Sequence, residues 1–254
     1  MKVLFVHRMV HQDPLGIMYL SAALKRAGHE VHFVDTALEP GWMDRAVATR
    51  PGIVGFSVLT GSHGFFLEAN RKLKRRMDFL SLWGGPHPTF FPEFLDEDGV
   101  DAICIGEGEG AIVALADALS AGAPLGSIPN LHVKAGGAVH RNAPRPLAVD
   151  LDALPFPDRI LLERYPEYRC STTRSVIASR GCPFSCSFCF NSRLREMMKG
   201  KGRYARHRGV DSVIEECAAR RADPWATQII FKDALFAHDE GFVSDFSRRY
   251  AAEI

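Results

Sequence analysis

The 254-residue sequence has no excess of charge of either sign: 31 Lys and Arg against 30 Asp and Glu leave a formal net charge of +1. So balanced a chain sets up no global field that would attract nucleic acid or an anionic membrane, and no nucleic-acid partner is favoured. No apolar run approaches the roughly 20 residues that a membrane-spanning helix needs. The opening Met1-Lys2-Val3-Leu4-Phe5-Val6-His7 has too short an apolar run for a signal peptide and no small-residue cleavage site, which points to a cytoplasmic protein. Cysteine is sparse, and six in a chain of this length do not make a disulfide scaffold. No Gly-x-Gly-x-x-Gly follows the first apolar segment, which ranks a nucleotide low as a ligand. What is present is an ordinary globular composition, 46% apolar, 10% aromatic and 24% charged, sufficient for one large domain or two small ones.

Apolar strand-like runs alternate with helix-like ones over residues 2–119. Strands are expected at 2–6, 30–34, 53–58, 79–83 and 102–105, and helices at 16–27, 42–49, 66–76 and 111–119. Near-continuous apolar strands separated by helices predict an α/β fold, a doubly wound parallel sheet covered on both faces. Its ligands bind at the carboxyl ends of the strands, so the informative loops are 11–16, 57–62, 84–89 and 106–109.

The alternation ends at 141–173, where Pro144, Pro146, Pro155, Pro157 and Pro166 fall. This stretch reads as a linker between a domain over 1–140 and a second over 174–254. In the second, strands are expected at 174–179 and 228–231, and helices at 210–222 and 241–254. A complete eightfold β/α barrel takes about 250 residues, roughly 30 per unit, so only its opening units fit here. The expectation is a barrel cut short.

Three of the cysteines crowd into Ser179-Arg180-Gly181-Cys182-Pro183-Phe184-Ser185-Cys186-Ser187-Phe188-Cys189-Phe190-Asn191. Thiolates at Cys-x3-Cys-x2-Cys spacing on one loop can hold three corners of a 4Fe–4S cube and leave the fourth iron open to a small molecule. Phe184, Phe188 and Phe190 would supply an apolar shell. The alternatives are a Cys3His zinc site, for which the nearest downstream histidine is His207, and a buried, inert set of thiols. The basic run Arg193, Arg195, Lys199, Lys201, Arg203, Arg206, Arg208 reads as a solvated loop before it reads as an anion-steering one.

The cysteine motif after the first strand of a β/α barrel resembles the hallmark of radical S-adenosylmethionine enzymes. Ser-Arg-Gly-Cys-Pro-Phe is similar to the subgroup with an N-terminal cobalamin-binding domain, which includes cobalamin-dependent radical methyltransferases and anaerobic magnesium-protoporphyrin ester cyclases. Further matches are 14–20, 27–31 with Asp35, 84–89, 106–109, 154–157, and Arg206-His207-Arg208 with Glu215. The resemblance implies a Rossmann-like cobalamin domain followed by the first units of a radical S-adenosylmethionine barrel. It implies that Cys182, Cys186 and Cys189 hold a 4Fe–4S cluster whose open iron chelates S-adenosylmethionine. One-electron reduction would cleave the sulfonium to methionine and a 5′-deoxyadenosyl radical, used in methylation or cyclisation at an unactivated carbon.

Cobalamin contacts are expected from Pro14, Leu15, Gly16, Ser57, Thr60, Gly84, Gly85, His87, Gly106 and Glu107. His87 reads equally as a solvent-facing turn residue. No Asp-x-His-x-x-Gly motif is present to supply a histidine to cobalt. Asp233 is expected near the adenosylmethionine amino group, although Ala234 departs from the acidic pair common there. The implied partners are a small-molecule substrate and an electron donor of the flavodoxin or ferredoxin type. A chain of this length could instead be a non-catalytic fragment that binds the cofactors without turnover.

Overall fold

The apolar run that opens the chain forms β1 (Lys2–His7), in which Val3, Leu4, Phe5 and Val6 are all buried. Burial of consecutive residues means that both faces of the strand are covered, as a parallel sheet requires. The computed structural model describes residues 1–8 and 13–254. The chain divides into two compact units, Met1–Arg145 with Pro157–Leu161, and Pro146–Phe156 with Leu162–Ile254.

The first unit continues through α1 (Leu15–Arg26), β2 (Glu30–Asp35), α2 (Trp42–Thr49), β3 (Ile53–Ser57), α3 (His63–Lys74), β4 (Leu80–Gly84), α4 (Pro86–Phe90), β5 (Ala102–Cys104) and α5 (Glu109–Ala121). The five strands are parallel in the order β2-β1-β3-β4-β5. A hairpin, β6 (Leu131–Ala135) and β7 (Ala138–Arg141), then extends the β5 edge antiparallel. The order reverses between β1 and β3, and the crevice of a doubly wound sheet lies at the carboxyl ends of those strands.

Helix α1 covers the sheet through Leu15, Ile17, Met18, Ala23 and Leu24, all buried at helical spacing. The prolyl segment 157–161 belongs to this unit. Asp158 donates its N–H to the Met18 carbonyl (3.1 Å), and its carboxylate accepts from Ser21 Oγ (2.5 Å) and pairs with Lys25 (2.6 Å).

In the second unit, α6 (Pro166–Arg169) precedes β8 (Thr173–Val176), β9 (Ser179–Arg180), α7 (Phe190–Met197), β10 (Arg206–His207), α8 (Val210–Arg221), β11 (Gln228–Phe231) and α9 (Glu240–Glu253). Strands β8 and β11 pair in parallel, Thr173 opposite Gln228 through Val176 opposite Phe231. The core between sheet and helices is Val176, Ala178, Val213, Ile214, Cys217, Phe242 and Phe246. The single strand expected at 174–179 is broken. Its last residue turns away with Arg180 to pair antiparallel with β10, Ser179 opposite His207.

The basic run is solvated as expected at Arg193, Lys199 and Arg203, but not at its end. Arg206 is buried and donates to the Ala148 carbonyl (2.6 Å), while buried Arg208 pairs with Glu216 (2.5 Å) and donates to the Ile177 carbonyl (3.0 Å). Long-range partners, invisible in a local charge count, draw these two side chains inward.

At the centre of the first sheet, Trp83 is fully buried, stacked on Phe56 at 4.2 Å and edge-on to Phe94 at 5.2 Å. Its indole nitrogen has no partner among the described residues. Trp83→Ala is expected to destabilise the first unit by about 3–5 kcal/mol, the usual cost of emptying a large aromatic site. Trp83→Phe, which retains a ring and removes the unpaired N–H, is expected to cost less, and urea unfolding of the two variants measures the difference.

Candidate functional site

Two groups of loops at carboxyl strand ends carry the expected residues, one in each unit. In the first unit, Gly85 follows β4 at φ +93°, and a Cβ there would stand 2.9 Å from the Val58 carbonyl oxygen. Only glycine combines that backbone angle with that approach. The closeness lets Val58 donate its N–H to the Gly84 carbonyl (2.9 Å) and His87 donate its N–H to the Val58 carbonyl (3.1 Å). The loops after β3 and β4 are thereby laced together.

His87 lies on α4 and is only 8% exposed, so it is not a solvent-facing turn residue. Its ring stacks on His63 at 4.1 Å, meets Phe94 at 4.9 Å, and places Nδ1 3.1 Å from Thr60 Oγ1. Burial, and then His63 beside it, hold its pKa below the ordinary 6.5, with Glu93 opposing. Ser57 is exposed at the end of β3, opposite Gly84 in register. Pro14 and buried Leu15 open α1, with Gly16 exposed, while Gly106 (φ +79°) and half-buried Glu107 follow β5. Of the expected 11–16 loop, His11 and Gln12 lie outside the described residues.

Two residues of this edge were not anticipated. One is His63. The other is His7, at the carboxyl end of β1, where the strand order reverses. Both of its ring nitrogens are buried without a partner among the described residues. Burial lowers its pKa against the opposing charge of Asp35, its neighbour on β2. A histidine ending an apolar strand was the available signal.

In the second unit, Gly181 (φ +79°) sets the cysteine loop running. A Cβ there would lie 2.2 Å from the Tyr204 carbonyl oxygen, so the backbones touch where β9 meets the approach to β10. The loop is then tied internally. Cys189 donates its N–H to the Cys186 carbonyl (3.1 Å), and Ser192 Oγ donates to the same oxygen (2.7 Å). Arg195 on α7 donates to the Pro183 carbonyl (2.5 Å) and to Ser185 Oγ. All three thiols are free, Cys186 exposed and Cys182 and Cys189 half-buried. Phe184, Phe188 and Phe190 stand exposed around them rather than folded over them.

Asp233, two residues past β11, accepts from the Ala178 N–H (3.1 Å) and Ser179 Oγ (2.5 Å), bracing the end of the first strand against the second. His207 places Nε2 2.9 Å from His238 Nδ1, and its own Nδ1 has no partner among the described residues. It stacks on His238 at 4.0 Å and Phe242 at 4.4 Å. Glu215 lines an acidic cleft of about 480 Å³ with Asp152, Phe156 and Asp211, whereas its neighbour Glu216 pairs with Arg208. Among the described residues no three His, Cys, Asp or Glu side chains already converge as a metal cage.

The family model for the B12 binding domain matches residues 1–116, the parallel part of the first sheet and its helices. Residues 1–116 thus carry the pattern of that domain. The chain is 33% identical over 249 residues to an uncharacterized methyltransferase of Pyrococcus horikoshii, an alignment covering 94% of the chain and 52% of that protein. It is 31% identical over 217 residues to the anaerobic magnesium-protoporphyrin IX monomethyl ester cyclase of Rubrivivax gelatinosus, covering 74% and 38%. The fold is that of the radical S-adenosylmethionine methyltransferase TsrM from Kitasatospora setae, with a TM-score of 0.77 at 20% identity over 98% of this chain and 52% of that one. The chain thus spans about half the length of these relatives, or less.

The residues present fit both implied groups. In the first unit, the His7 ring nitrogens, without a partner among the described residues, lie at the point where a doubly wound sheet takes its ligand. In the second unit, Cys182, Cys186 and Cys189 are free thiols on one loop, the donor type a cluster takes.

The lowered His87 pKa has a consequence for stability. The unfolded chain takes up a proton as pH falls through 6.5 and the folded one resists it, so this contribution is absent above 6.5 and destabilising below. Acid unfolding of the first unit is expected to begin below pH 6.5 and to be shallower in His87→Gln, as followed by circular dichroism.

Proposed function

We propose that the chain carries the cobalamin- and cluster-binding part of a radical S-adenosylmethionine enzyme, a methyltransferase or cyclase acting on an unactivated carbon of a small molecule. The observation that carries this reading is the cysteine loop: three free thiols, held in one turn beyond the carboxyl end of β8. Cys182, Cys186 and Cys189 would hold three irons of a 4Fe–4S cluster. With a reductant and S-adenosylmethionine bound, such a cluster supplies a 5′-deoxyadenosyl radical.

The protein's own part is placement. Gly181 and Arg195 fix the path of the loop, and Asp233 ties the strand ends beside it. In the first unit, His87, Thr60 and His63 would wall the cobalamin beside the glycines of Gly84-Gly85 and Gly106, with Ser57, Pro14, Leu15, Gly16 and Glu107 around the same edge. An electron donor of the flavodoxin or ferredoxin type would deliver the reducing electron.

Anaerobic reconstitution with iron and sulfide, followed by dithionite and S-adenosylmethionine, is expected to yield 5′-deoxyadenosine by chromatography. Cys186→Ala is expected to abolish it, while the visible spectrum of added hydroxocobalamin still shifts. A tightly bound zinc in place of iron would refute the assignment. Bound iron and cobalamin without 5′-deoxyadenosine would favour a cofactor-binding chain without turnover.

A further inference from the structure

The Cys189 sulfur makes a contact that holding a metal does not require. The side-chain amide of Asn191 donates to Cys189 Sγ at 3.8 Å, and the Tyr204 hydroxyl donates to Asn191 Oδ1 at 3.0 Å. With its oxygen engaged by the phenol, the amide presents its N–H group to the sulfur. Both ends are well anchored. Cys189 is the N-cap of α7 and Asn191 lies in its first turn, while the Tyr204 backbone abuts Gly181 at the start of the cysteine loop. Among the described residues, Cys182 and Cys186 have no corresponding side-chain bond to their sulfurs.

We propose that Asn191, oriented by Tyr204, is a positioning residue that makes the cluster easier to reduce by hydrogen-bonding the Cys189 thiolate. This rests on the reading that Cys182, Cys186 and Cys189 hold a 4Fe–4S cluster. An added electron increases the negative charge on the cysteine sulfurs, so an N–H donor stabilises the reduced state more than the oxidised one. Hydrogen bonds to cluster sulfurs are among the determinants of iron–sulfur potentials, and partners of the ligands tune the metal. The Tyr204 bond matters because it keeps the amide from turning its carbonyl oxygen to the sulfur, which would reverse the sign of the effect.

The test is a redox titration of the reconstituted full chain, followed by EPR, for wild type, Asn191→Ala, Asn191→Asp and Tyr204→Phe. At the wild-type midpoint, the reduced-to-oxidised ratio in Asn191→Ala is expected to fall about tenfold, equivalent to about 59 mV for one electron. Asn191→Asp should shift further, since it replaces the donor by a negative oxygen, and Tyr204→Phe less. A residue that only shaped the loop would change thermal stability and leave the midpoint in place. Should Asn191→Ala lose its iron, Tyr204→Phe, which retains Asn191, carries the comparison. Identical midpoints in iron-replete variants would overturn the proposal and leave the cluster reading standing. A wild-type chain that forms no EPR-active cluster would overturn that reading, and the proposal with it.

Discussion

A parallel strand needs a neighbour on each side and cover on both faces, so the chemistry of such a sheet is confined to the loops at its carboxyl ends. The inner strands β1, β3 and β4 of the first unit obey this constraint, and the second unit, with only β8 and β11 paired in parallel among the described residues, keeps its loops at the carboxyl ends as well. In the first, the buried strands β1, β3 and β4 leave only the segments after His7, Ser57 and Gly84 free to meet a ligand. In the second, the cysteine loop emerges past Val176 and is held where β9 turns back against β10. Burial of the strands dictates where the reactive residues stand.

The constraint accounts for the glycines as well. Loops crossing above adjacent strand ends must pass within backbone contact, and Gly85 and Gly181 occupy the two positions where a Cβ would meet a carbonyl oxygen. Each close approach supports bonding beyond itself, the Val58–His87 lacing in one unit and the Cys186–Cys189 turn with its Ser192 and Arg195 ties in the other. On the proposed reading, three thiolates would leave one metal of a cluster open, which is what binding a small molecule to that metal demands.

Much of this was legible in the residue order. Five apolar runs of strand length announced the parallel sheet, because burial on both faces removes polar positions from a strand. The cysteine spacing singled out the loop on which the proposed cluster rests. The antiparallel hairpin β6–β7 was not anticipated, although Gly136-Gly137 between two short runs is a turn signal, because β7 is mostly exposed and β6 buries only Leu131 and Val133. Burial of Arg206 and Arg208 escaped notice because their partners, Ala148, Ile177 and Glu216, come from other elements. The His7 and His63 contributions, and the Asn191–Cys189 bond, depend on side-chain directions that periodicity does not encode.

The most direct check of the account is Mössbauer spectroscopy of oxygen-free, iron-labelled protein with and without S-adenosylmethionine. Three-cysteine ligation requires a 4Fe–4S cubane in which one iron responds to the added sulfonium compound and the other three do not. Absence of a cubane, or a cubane whose four irons are all indifferent to S-adenosylmethionine, would contradict it.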